Sequence, residues 1–202
     1  SFVKSRRKEI SCKAYENDEF FRKLTSLSPA LPGEHQWQDI FFAAAAVREF
    51  GASDEAIEKA VAEFTGIEHR LEHFNTRKGI KFYDDAIATI PNAVLGNVRA
   101  LGNVGTLIIG GMDRGLDYSE FVEELMTAPI DNLICMPETG YNIADELVKK
   151  GCGLNIIKCE TLEEAVAKSF EVTQEGKACL LSPAAASYNR YKNFEEKGNA
   201  FK

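Results

Sequence analysis

Several absences narrow the reading of this sequence. No cysteine pair is spaced CxxC, and none of the five cysteines (Cys12, Cys135, Cys152, Cys159, Cys179) sits near a histidine at zinc-ligand spacing. Their number is odd, which argues against a disulfide framework. Cys135, Cys159 and Cys179 lie in apolar runs, where a free thiol behaves as a small hydrophobe, so a reducing, cytoplasmic setting is expected. No apolar run approaches the ~20 residues of a membrane helix. The basic stretch Ser1 to Ile10 leads into no signal core. Cations are in deficit, 24 Lys and Arg against 31 Asp and Glu, for a net charge of −7. Nucleic-acid and membrane partners are therefore not expected, because neutralising phosphates takes surplus positive charge. One small phosphorylated ligand, held by a local Arg or a helix N-terminus, is compatible with that balance. The chain also lacks an initiator Met, and a piece of a longer protein is expected.

What is present suffices for a real core. With 202 residues and 45% hydrophobic content, one medium domain or two small ones are expected and disorder is excluded. Ser1 to Ala14 has room for a short strand or two, and Asp18 to Leu27 for a short helix, before Pro29 and Pro32 break the pattern. Trp37, Ile40, Phe41, Ala44, Ala45 and Val47 recur at helical spacing up to Gly51. Ser53 is a good N-cap for a second helix that ends near Gly66. Residues 33–66 thus read as a helical hairpin.

From residue 79 the period changes. Short apolar runs at Ile80 to Tyr83, Thr106 to Ile109, Asn132 to Met136, Leu154 to Lys158 and Lys177 to Leu181 alternate with helical stretches. Those stretches are Pro91 to Leu101, Tyr118 to Met126, Asn142 to Lys150, Leu162 to Val172 and the tail from Asn193. That alternation predicts an α/β domain with a parallel sheet covered on both faces, and ligands of such sheets bind at the carboxyl ends of the strands. The composition shift at 67–79 is the one candidate domain boundary.

Each strand end carries small or polar residues. Arg70, near the boundary, offers a fork for a phosphate or ribose oxygen, or a partner for a structural ion pair. Asp84 and Asp85 follow a strand, where a carboxylate accepts from a ribose hydroxyl, holds a metal through water, or caps a turn. Thr89 precedes the Pro91 helix start, a place suited to an anion. Gly110-Gly111-Met112-Asp113-Arg114-Gly115 fits neither GxxxxGK[ST] nor GxGxxG. It reads as an anion-approaching loop with Arg114 as its cation, or as a plain turn. Ser182 to Ser187 leaves its backbone open to a ligand. Ser187 is a weak nucleophile candidate without GxSxG or a nearby His. The helix start at Lys192-Asn193-Phe194 favours a carboxylate. His35 reads as a capping residue and His73 as a surface residue.

Taken in order, Gly33-Glu34-His35, Glu68-His69-Arg70, Tyr83 to Pro91, Leu107 to Gly115, and Leu180 to Ser187 through Lys192 to Gly198 resemble the Mur ligases, over residues 30–202. The last block is the most specific to their glutamate-adding members. The resemblance implies a Rossmann-like C-terminal domain with a mostly parallel five- to six-stranded sheet, at 73–202. Before it, at 1–72, would stand a helical remnant of the central ATPase domain. It implies an ATP-dependent ligase of peptidoglycan synthesis that joins glutamate to UDP-N-acetylmuramoyl-L-alanine through an acyl phosphate. The parent is expected to be a cytoplasmic monomer using ATP and Mg2+. The P-loop and magnesium ligands would lie outside this chain, which alone is expected to be inactive. Gln36, Asp39, Arg70 and Asp85 would contact ATP. Thr89, Arg114, Ser187, Tyr188 and Phe194 would contact glutamate, with no metal ligand among the site residues. Gln36 and Asp39 replace the family's usual Asn residues, Ile87 a common Lys, and Arg114 a usual Lys. The Ile87 loop resembles a subset that includes an L-glutamate-adding variant, although D-glutamate is the favoured substrate. The competing readings are another Mur-type amino-acid ligase, such as a polyglutamate synthetase, and a non-catalytic Rossmann-like binding module.

Overall fold

A computed structural model describes residues 18–27 and 33–202. The strands expected in Ser1 to Ala14 lie outside the described residues, as do Cys12, Pro29, Pro32 and the side chain of His35. The chain divides into two compact units, Ser1–Thr65 and Gly66–Lys202.

In the first unit, helices α1 (Glu19–Leu27), α2 (Glu34–Glu49) and α3 (Asp54–Glu63) bury Phe21, Leu24, Ile40, Phe41, Ala44, Ala45 and Ile57. Gly51, at φ 88°, takes the left-handed position that ends α2. The Ser53 hydroxyl then accepts from the Ala56 amide to start α3. Arg48, in the last turn of α2, donates to Asp54 at the start of α3 at 2.7 and 2.5 Å, which pins the hairpin connection.

The second unit is a six-stranded sheet in the order β1 (Glu72–Arg77), β2 (Ile80–Asp84), β6 (Ala178–Leu181), β3 (Val104–Ile109), β4 (Asn132–Cys135), β5 (Asn155–Lys158). All neighbours are parallel except β1, which runs antiparallel to β2. The five parallel strands coincide with the five apolar runs of the sequence. Strand β1 does not show in the pattern, because an edge strand with the sequence EHFNTR is largely exposed and carries no apolar alternation.

Alternation along the inner strands feeds two cores. Leu107, Ile109, Leu133, Cys135 and Leu180 face one side, where α4 (Pro91–Leu101), α5 (Ser119–Leu125) and α6 (Thr139–Lys149) pack. Ile108, Ile134, Cys179 and Leu181 face the other, against α7 (Leu162–Val172) and α8 (Phe194–Phe201). Connections stepping from β2 through β5 use the first face. The return from β5 to β6 uses the second, as right-handed crossovers require. Every loop that follows β2, β3, β4 or β6 therefore opens at one edge of the sheet. Among the described residues no helix is long and apolar enough to cross a membrane.

Candidate functional site

The carboxyl ends of β2, β6 and β3 are adjacent in the sheet, so three of the loops picked out in the sequence converge. The β2–α4 loop carries Asp85 and Thr89, the β3–α5 loop Arg114, and the β6–α8 loop Ser187 and Tyr188, with Phe194 opening α8. Gln36 (buried) and Asp39 (exposed) stand on α2 of the first unit. Arg70 is exposed in the second unit, ahead of β1.

The two aspartates at the end of β2 have different environments. Asp84 accepts from the amide of Ala86 at 3.0 Å and pairs with His69 Nδ1 at 2.6 Å, both side chains buried. Glu72 accepts from the His69 amide at 2.9 Å, and Lys202 donates to Glu72 at 2.7 Å while lying 3.8 Å from Asp84. A Cβ on Gly198 would come within 2.2 Å of the His69 ring, so only glycine lets α8 approach this pair. His69, Glu72 and Asp84 offer ligand atoms within 4.8 Å of one another. They do not fit Mg2+, which prefers an all-oxygen octahedron, and the Lys202 ammonium already supplies a cation there.

Asp85 is a hub. Its carboxylate accepts from the Leu71 amide at 3.1 Å, Asn97 Nδ2 at 2.6 Å and Ser182 Oγ at 2.6 Å. It thereby fastens the end of β2 to β6, α4 and the entry to β1. Burial pushes its carboxyl up to about 6, against the three donors that favour the charged form.

The glycines after β3 are required by close approach. A Cβ on Gly110, at φ 122°, would lie 2.2 Å from the Met136 carbonyl, and one on Gly111 2.3 Å from the Ala186 carbonyl. The Gly111 carbonyl accepts from the amides of Glu138 and Thr139, and the Met112 amide donates to Ala186 at 2.8 Å. Lys197 reaches in from α8 and donates to the Gly110 carbonyl at 2.7 Å. Burial pushes its amine down to about 7.

Around this scaffold are groups with nothing to bind among the described residues. Ser187 is buried, and its hydroxyl has no hydrogen-bond partner among the described residues. Arg114 is exposed and makes no ion pair among them. Helix α4 begins at Ile90–Pro91 with no side-chain cap, one residue after the half-buried Thr89. These donors suit an anionic ligand. The start of α8 differs from the expectation that it would hold a ligand's carboxylate. Asn193 caps the Glu196 amide, and the carboxylate seated there is the chain's own Glu196, on the Lys192 amide at 2.5 Å. The cleft between α5 and α6, about 440 Å3, carries Glu120, Glu123 and Glu146 against a single Lys150, the wrong sign for an anion.

Sequence reasoning placed Thr139 and Ser182 at strand ends without giving either side chain a role, and it missed Tyr118, Asn97 and Lys197 as parts of this edge. A signal existed for Lys197: it falls on the same helical stripe as Phe194 and Phe201, where a lone cation is out of place. Asn97 likewise interrupts the apolar face of α4, next to Val94 and Val98.

Residues 69–185 match the family described as Mur ligase, glutamate ligase domain. A protein from Caldanaerobacter subterraneus subsp. tengcongensis, named UDP-N-acetylmuramoylalanine–D-glutamate ligase, is 36% identical over 207 residues, covering 100% of this chain and 46% of the relative. The chain thus spans less than half the length of that curated relative. Among solved structures, UDP-N-acetylmuramate-alanine ligase MurC from Thermotoga maritima aligns with a TM-score of 0.62 at 20% identity, covering 84% of this chain and 37% of that one. MurF ligase from the same organism, in complex with ADP, aligns with a TM-score of 0.59 at 18% identity, covering 82% and 37%. At these identities the two structures speak for the fold alone.

Proposed function

The chain belongs to the Mur ligase family through its glutamate ligase domain, and from that premise we propose that it is the amino-acid-binding portion of a longer ATP-dependent ligase. In this reading the parent joins glutamate to UDP-N-acetylmuramoyl-L-alanine in peptidoglycan synthesis, as a cytoplasmic monomer. The observation that carries the reading is the unsatisfied set at the sheet edge. A buried Ser187 hydroxyl, an Arg114 with no ion pair among the described residues and the uncapped start of α4 beside Thr89 together match a small dicarboxylate.

The chemistry divides accordingly. ATP would phosphorylate the carboxylate of the UDP-linked substrate, and the glutamate amine would displace phosphate from that acyl phosphate. The task of this unit is to orient glutamate so that its amine reaches the acyl carbon, a contribution made by positioning. The Arg114 fork would hold one carboxylate. Thr89 with the α4 N-terminus would hold the other, and Ser187, Tyr188 and Phe194 would border the ligand. Arg70 and Asp85 are proposed to serve the nucleotide, and the same role is proposed separately for Gln36 and Asp39. For Asp85 the support is indirect, since its three internal donors fix the loop that would meet the ribose. Mg2+ would neutralise the ATP phosphates through ligands outside this chain. No GxxxxGK[ST] loop occurs in the 202 residues, so the chain alone is proposed to be inactive.

The test is phosphate release by the full-length parent with ATP, UDP-N-acetylmuramoyl-L-alanine and either D- or L-glutamate. Release with D-glutamate is the expected result. Release with L-glutamate alone would keep the ligase and reassign its stereochemistry, with the half-buried Ile87 as the first residue to exchange. No release with either, from folded protein, would overturn the reading.

A further inference from the structure

The three loops that carry Thr89, Arg114 and Ser187 leave the sheet separately, and something must keep them in register. Ala184 is where they are joined. It is fully buried and has φ 57°, a left-handed conformation that an L residue adopts only when its surroundings hold it there. Its amide donates to the Ala88 carbonyl at 3.0 Å, one residue before Thr89. Its carbonyl accepts from the Tyr118 hydroxyl at 2.9 Å, four residues after Arg114. Ser187 follows three residues later on the same loop as Ala184.

We propose that Tyr118 is a positioning residue for the amino-acid substrate. Its hydroxyl, by holding the Ala184 carbonyl, ties the Arg114 loop to the Ser187 loop and, through the Ala184 amide, to Thr89. This inference rests on the proposed function and deepens it. Tyr118 itself touches no substrate in this scheme. Its ring is anchored separately, 6.4 Å from the Phe121 ring at the start of α5, so the aromatic body and the hydroxyl have separable roles. Without the hydroxyl, the Ala184 carbonyl loses a donor in a buried place, and the left-handed residue loses one of its two restraints. The expected consequence is drift of Ser187 and Thr89 relative to Arg114, felt by a ligand that must bridge all three.

Tyr118→Phe in the full-length parent isolates the hydroxyl, since the ring stays. The glutamate KM is expected to rise about fivefold, with kcat and the KM for ATP within about twofold. A residue that merely supported the fold would move all three constants together. Amide hydrogen exchange at Ala184 supplies a readout independent of turnover, and is expected to quicken by about tenfold in the variant. An unchanged glutamate KM in an active enzyme, or unchanged exchange at Ala184, would overturn the proposal. If the unsubstituted parent releases no glutamate-dependent phosphate, the functional reading fails on that assay, and exchange at Ala184 still decides whether the tether exists.

Discussion

The two ends of the parallel sheet differ in how completely they satisfy their polar groups. At the amino end, Thr106 and Thr173 share a hydrogen bond at 2.6 Å. Asn132 donates to the carbonyls of Gly105 and Val172 at 3.0 and 3.1 Å and accepts from Asn155 at 2.8 Å. Asn103 bonds the Gly176 carbonyl, and Lys177 pairs with Asp131. Each of these groups finds its partner within the chain. At the carboxyl end, and among the described residues, the Ser187 hydroxyl is buried without a partner, Arg114 makes no ion pair, and α4 starts without a side-chain cap. Strand composition does not account for the contrast, since the same strands run through both ends. The amino end satisfies its polar groups internally and so contributes to stability. The carboxyl end leaves part of its bonding capacity for something outside the chain.

Removing an amino-end group should therefore cost stability and leave ligand recognition alone. Asn132→Ala, which strands two carbonyls and the Asn155 amide, is expected to lower unfolding free energy by about 3 kcal/mol. In the parent ligase the glutamate KM should stay within about twofold of the unsubstituted enzyme. Urea unfolding and initial-rate kinetics on one preparation check both halves. A large rise in KM at full stability would break the contrast between the ends.

Lys197 sharpens the comparison from the carboxyl end, because it is a charged group kept at a cost. Its amine has an ordinary pKa of 10.5, pushed down by burial to about 7. Between those values the unfolded chain holds more protons than the folded one, so stability should climb as pH rises. The gain between pH 7 and pH 9 is expected to be about 2 kcal/mol, and Lys197→Met should flatten that rise. A stability curve from pH 7 to pH 9 with the same slope in both proteins would show that the lysine is not desolvated as its place beneath Gly110 requires.

The difference between the ends was partly legible in the residues themselves. Gly110-Gly111, Asp84-Asp85 and Ser182 to Ser187 could be placed at strand ends, because an apolar run followed by small or polar residues has few other meanings in an alternating chain. Edge strand β1 was not legible. It pairs with β2 along one edge only, and apart from the half-buried Glu72 and Phe74 its residues are exposed, so it shows no sustained apolar period. Nor could local reading separate Asp84 from Asp85. Adjacent residues of a strand end point opposite ways, and what each meets, His69 for one and Asn97 with Ser182 for the other, comes from segments 12 to 97 residues away. The resemblance supplied a site across three loops. The physical reason those loops can act together, left-handed Ala184 and the donors around it, emerges only once the chain is folded.

Arg114 tests the outward-facing half of the comparison. It is exposed, so Arg114→Ala should change unfolding free energy by no more than about 0.5 kcal/mol. The glutamate KM of the parent should rise at least about tenfold, equivalent to about 1.4 kcal/mol, within the range of a charge-assisted pair. An unchanged KM would remove Arg114 from the site and leave the dicarboxylate reading without its cation.

Ser187 gives the smallest effect and the closest comparison, because it is as buried as Asn132, at 3% exposure against 6%. Burial alone would predict similar penalties for truncating either side chain. The hydrogen-bond inventory predicts otherwise. Ser187→Ala breaks no side-chain hydrogen bond among the described residues and removes a hydroxyl whose desolvation is uncompensated, so stability should hold within about 0.5 kcal/mol or rise slightly. Recognition should still suffer, with the glutamate KM of the parent up about threefold to fivefold, the loss of one hydrogen bond to a ligand. Stability and KM thus move in opposite proportions for Asn132 and Ser187. If Ser187→Ala destabilises the protein as much as Asn132→Ala does, its hydroxyl has an internal partner, and the carboxyl end is not the unsatisfied edge on which the functional reading depends.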